Sequence, residues 1–115
     1  MKPVSEWSRD EKSMLLYLET CLVDGYGFVK GVKVNAEDIA IATRWNKEGF
    51  ITFKRIPYDY IPIANRYGAS KFEYLYYVRF TLEAWNIAHN LRYERSERML
   101  IEHPTEEIES YRRTQ

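Results

Sequence analysis

The sequence predicts one α+β domain with the order helix, short strand, helix, strand, long loop, strand, long helix. Three observations lead there. The chain of 115 residues is 45% hydrophobic and 16% aromatic, with only five glycines and four prolines, so it can bury well over half of its unfolded surface in one core. Helix-capping residues precede runs of apolar positions spaced three and four apart at Ser8, Asn35 and Thr81. Two stretches, FITFKRI and FEYLYYVRF, are instead crowded with β-branched and aromatic residues.

The first helix is expected from about Arg9 to Asp24. Ser8 and Glu11 form an S-x-x-E capping box, in which hydroxyl and carboxylate each satisfy a backbone amide at the helix start. Met14, Leu15, Leu18, Cys21 and Leu22 then fall on one face, and Gly25 supplies the permissive residue that ends the helix. GYGFVKGVKV is too rich in glycine for a helix, and the alternation of Val32, Lys33 and Val34 suits a short strand or an extended arm. Asn35 caps a second helix running to about Glu48. Glu37 and Asp38 sit at its positive end and Lys47 at its negative end, while Ile39, Ile41, Ala42 and Trp45 make its apolar stripe. Gly49 stops it.

FITFKRI follows as a strand. PYDYIPIANRYGASK, broken by two prolines, reads as a long loop in which Asp59 could start one helical turn. In the next strand Tyr74, Tyr76, Val78 and Phe80 share one side, and Leu75, Tyr77 and Arg79 the other. Thr81 caps a last helix from Leu82 to about Glu102, whose stripe of Leu82, Ala84, Trp85, Ile87, Ala88 and Leu91 covers the first half only. The compact part is therefore expected at about 8–92. The rest of the helix, with Glu94 and Arg98 four apart, and the tail at about 93–115 should project, TEEIESYRR adding a marginal turn.

This order resembles a winged-helix domain over roughly residues 9 to 92. The resemblance is carried by the joints TRWNKEGFITFKRI and VRFTLEAWNIAHNLR, with GFITFKRI and EYLYYVRF as wing strands. It implies that residues 36 to 48 are the candidate recognition helix. Only ten residues separate the first helix from Asn35, which leaves no room for the extra helix of a full helix-turn-helix.

Charge is unevenly divided. Residues 1–27, 28–72 and 73–115 carry net charges of −2, +4 and −2, within a chain whose 17 bases balance its 17 acids. A basic middle is what a phosphate-contacting wing would show. The candidate nucleic-acid contacts are Arg44 and Lys47 on the helix, and Lys54, Arg55, Tyr58, Tyr60, Arg66, Tyr67 and Lys71 in or beside the wing, a mixture able to meet phosphates and stack on bases. The leading expectation is a small non-enzymatic DNA-binding accessory or regulatory protein acting on double-stranded DNA. The alternative is a protein-interaction module on the same scaffold.

No nucleophile with a base, phosphate loop or metal-ligand cluster is visible, so neither catalytic residues nor a cofactor nor a metal is expected. The glycines of GYGFVKG follow a helix instead of opening one, and read as turn residues. His89 is expected at a core edge, bonded to a backbone carbonyl, and His103 at a helix end. The lone Cys21 reads as a small core residue and permits no internal disulfide. Trp7, Trp45 and Trp85 are expected as core or core-edge anchors, Trp7 stapling against the Lys12 stem or Leu15. No apolar run approaches the roughly 20 residues of a membrane span, and no export signal is seen, which makes a cytoplasmic protein the expectation. Met99, Leu100 and Ile101 return apolar surface near the end of the last helix, so self-association through it is expected.

Overall fold

The computed structural model describes residues 1–60 and 74–102. The class is α+β and the element order is the predicted one: α1 (Arg9–Asp24), β1 (Phe28–Lys30), α2 (Ala36–Lys47), β2 (Ile51–Arg55), β3 (Tyr74–Phe80) and α3 (Leu82–Glu102). The three strands form one antiparallel sheet in the order β1-β3-β2. The loop from residue 61 onward, the start of the strand at 72–73, His103 and the TEEIESYRR turn lie outside the described residues, while Tyr58–Tyr60 forms the short helical turn expected near Asp59.

Local chemistry explains the helix starts. Ser8 accepts from the Glu11 amide at 3.1 Å while Glu11 accepts from the Ser8 amide at 2.9 Å. Asn35 and Asp38 repeat that reciprocal box at α2. The Thr81 hydroxyl accepts from the Ala84 amide at 3.1 Å and donates to the Phe50 carbonyl at 2.8 Å, tying the start of α3 to the α2–β2 joint.

The core lies between the helices and one face of the sheet. Val29, Ile51, Phe53 and Val78 from the strands meet Leu15, Leu18, Ala42, Trp45, Ala84 and Ala88 from the helices in one buried cluster. Leu15 and Leu18 are fully buried, each contributing about 1.5–3 kcal/mol of transfer free energy. Trp7 is buried in the same core cluster as Leu15. It packs on Trp45 and Phe50, with centroids 5.0 and 5.8 Å away, because the segment before α1 folds across α2.

Several expectations change. The short strand is Phe28–Lys30, and Gly31–Lys33 is a 3-10 turn leading into α2, so Val32 to Val34 do not alternate in a strand. Gly25 ends α1 without a left-handed backbone. The positive φ angles fall on Tyr26 (59°) and Gly27 (85°), because the chain reverses immediately after the cap to enter β1. Gly27 is the residue that needs to be glycine, since a Cβ there would stand 2.9 Å from the Val78 carbonyl oxygen.

Tyr74 leaves the side shared by Tyr76 and Val78. The β1–β3 register skips Leu75, pairing Val29 with Tyr76 but Lys30 with Tyr74. An irregularity of this kind switches the face of the residues beyond it, and Tyr74 packs with Ile56, Phe28 and Tyr77 in a second cluster.

α1 is buried on two sides. Leu16 and Glu19, outside its predicted stripe, are covered by α3. α3 in turn docks through Ala84, Ile87, Ala88 and Leu91, leaving Leu82, Trp85 and His89 exposed. Small alanines permit the close approach that sets this orientation. His89 is therefore no core-edge residue.

Candidate nucleic-acid interface

The side chains of β2 and β3 that point away from the helices form the candidate surface. Within β2, Ile51 and Phe53 go to the core and Thr52 and Lys54 to the other face. The β2–β3 register sets Lys54 opposite Tyr77 and Thr52 opposite Arg79. Lys54 and Arg79 are thus diagonal neighbours on one face, a relation that places backbones about 7–8 Å apart. They line a shallow hollow of about 300 Å³ with Asn46, Gly49, Thr52 and Thr81. Asn46 is fixed there because its side-chain oxygen accepts from the Phe53 amide at 2.9 Å. Arg79 also borders a second hollow of about 320 Å³, where Tyr60 and Tyr77 stand beside Phe28, Ile56 and Pro57.

The electrostatics of this face are one-sided. Among the described residues the three strands contain no acidic residue, and of their bases Lys54 and Arg79 lie on this face while Arg55 points to the other. Lys30 lies over the Tyr74 ring and Arg55 over the Tyr76 ring, at 5.8 and 5.7 Å. Among the described residues, no carboxylate pairs with Lys54 or Arg79.

The predicted contacts are only partly gathered. Lys54 and Arg55 are consecutive in a strand and point to opposite faces, Arg55 toward the side of Tyr76 and Phe53. Tyr60 lines the hollow containing Tyr77, Tyr58 is almost fully exposed, and Lys47 is exposed at the end of α2. Arg66, Tyr67 and Lys71 lie outside the described residues. Arg44 is engaged elsewhere, its guanidinium 2.6 Å from the Glu11 carboxylate. Arg79 and Tyr77 are additions that the sequence does not single out. Strand alternation places both on one side, but only the antiparallel register sets them beside Lys54.

The most strongly held charges belong to the scaffold. Glu11 is buried and receives Lys2 at 2.8 Å and Arg44 at 2.6 Å, joining the N-terminal segment, α1 and α2. Burial pushes its pKa up, yet the bonds from Lys2 and Ser8 outweigh that and hold the carboxyl below its ordinary value. Glu19 receives Arg92 at 2.6 Å, which locks α3 to α1. Burial also pushes the Cys21 thiol and the adjacent Tyr17 phenol up.

Among the described residues, no cluster of three or more His, Cys, Asp or Glu side chains could hold a metal ion, and no helix is long and apolar enough to cross a membrane. The chain matches no protein-family model, no curated protein and no solved structure.

Proposed function

We propose that the protein is a small non-enzymatic DNA-binding accessory or regulatory protein of the cytoplasm, contacting duplex phosphates with the helix-free face of its sheet. One observation carries this reading: among the described residues, Lys54 and Arg79 stand diagonal and without a carboxylate partner on a sheet that has no acidic residue. In a chain of zero net charge, such a site is a local attraction for anions and not a by-product of overall basicity. Tyr60 and Tyr77 flank it and add polar and stacking surface. Base readout by α2 is not part of the proposal, because α2 commits Arg44 to Glu11 and carries Glu37 and Asp38 in its first turn.

Fluorescence anisotropy of a labelled duplex at low salt tests the reading. Binding should weaken on replacing Lys54 and Arg79 together by glutamate. When either is made alanine, one phosphate is no longer neutralised, and the slope of log K against log salt should become shallower by about 0.9. Affinity unchanged by both substitutions would end it. The alternative, a protein-interaction module, draws on the exposed Tyr58 and the apolar outer side of α3. It would gain if the duplex failed to bind at all.

A further inference from the structure

The outer side of α3 carries an apolar line unrelated to the sheet face. Leu82, Trp85, His89, Tyr93, Ser96 and Leu100 are spaced 3, 4, 4, 3 and 4 residues apart. At 3.6 residues per turn these positions share one face over about 27 Å. That face is opposite the one that Ala84, Ala88 and Leu91 bury against the core. The relative exposures of Leu82, Tyr93 and Leu100 are 75%, 62% and 48%, and Trp85, packed edge-on against Phe80 at 5.1 Å, still shows 36% of its surface. Isolated exposed apolar residues are ordinary, whereas a continuous uncharged line of this length marks a contact surface.

We infer that this line binds a second copy of the chain, with the two α3 helices antiparallel about a two-fold axis near residue 91. The sequence of the line fits its own reversal. Turned about that point, Leu82 of one copy meets Leu100 of the other, His89 meets Tyr93, and Trp85 lies over Ser96, so the largest side chain of the line falls on its smallest. A two-fold contact requires this self-complementarity, because one patch must serve both sides. At the margin the reversal brings Asn86 beside Glu97, an amide donor against a carboxylate, twice per pair. At the other margin Arg92 nears its own copy, but Glu19 already neutralises it at 2.6 Å. The arrangement also covers the second half of each α3: Tyr93 to Leu100 of one copy would lie on Leu82 to His89 of the other.

Sedimentation equilibrium of the full chain tests the inference. The wild type should approach twice its 13.8 kDa mass as concentration rises. Leu82→Lys and Leu100→Glu, both at exposed positions, should each be monomeric with unchanged circular dichroism. Mixed in equal amounts they should recover the dimer, because the introduced lysine then meets the introduced glutamate while the remaining two leucines still touch. Ser96→Arg, set against Trp85, should independently weaken association by about tenfold. A wild type that stays monomeric, variants that dimerise as well as it does, or a mixture that stays monomeric would overturn the inference.

Discussion

Replacing Glu11 by glutamine should remove the strongest polar tie between the N-terminal segment, α1 and α2. The carboxylate is 5% exposed and accepts from Lys2 Nζ at 2.8 Å, Arg44 Nη2 at 2.6 Å and the Ser8 amide at 2.9 Å. Glutamine retains the volume and an oxygen for the Ser8 amide, so the change isolates the charge. A hydrogen bond to a charged group contributes about 1.5–3 kcal/mol. Both cations are nearly half exposed and regain water when released, which discounts each to about 1 kcal/mol. A loss of about 2 kcal/mol is expected at pH 7, read as a lower urea midpoint with an unchanged slope. The pH dependence checks the cause. A carboxyl whose pKa is lowered by folding contributes stability above its unfolded value, about 4.3, and loses it as pH falls through the folded value. The gap between wild type and Glu11→Gln should therefore be full above the unfolded value and narrow as pH falls below it toward the lowered folded value. A gap under about 0.3 kcal/mol at pH 7, or one that does not narrow as the pH is lowered, would refute the reasoning.

Arg44→Ala should cost stability but leave duplex affinity within about twofold, since its guanidinium already serves Glu11; a large fall in affinity with unchanged stability would return Arg44 to the DNA surface. Gly27→Ala should destabilise by about 2–3 kcal/mol in urea titrations, because a left-handed backbone and a close carbonyl both oppose a Cβ. Cys21 is buried and its thiol is pushed up by that burial. It should react with a thiol reagent at pH 8 on the order of a hundredfold more slowly in the native protein than in urea, and equal rates would place it at the surface.

The elements were largely legible in the residues themselves. Ser8 with Glu11 fixed the start of α1, Asn35 opened α2 and Gly49 closed it, and Thr81 opened α3, because capping is settled within a few residues of chain. Alternation likewise gave β2 and most of β3. Tertiary structure decided what periodicity leaves open. An apolar residue on a helix announces that it prefers burial, but not which neighbour will supply it. Ala84 and Ala88 admit α1 more closely than Leu82 and Trp85 could, so the small residues turned inward and the large ones outward. A skipped residue opposite β1 sent Tyr74 to the other side of the sheet. Charges behaved in the same way. Composition identified a basic middle, but folding assigned Arg44 to Glu11 and Arg55 to Tyr76, and left Lys54 beside Arg79. The sequence thus determined which segments become helix or strand, since those preferences act over a single turn or pleat. Which side chains face one another was decided only by packing, since a partner's distance in space bears no relation to its distance along the chain.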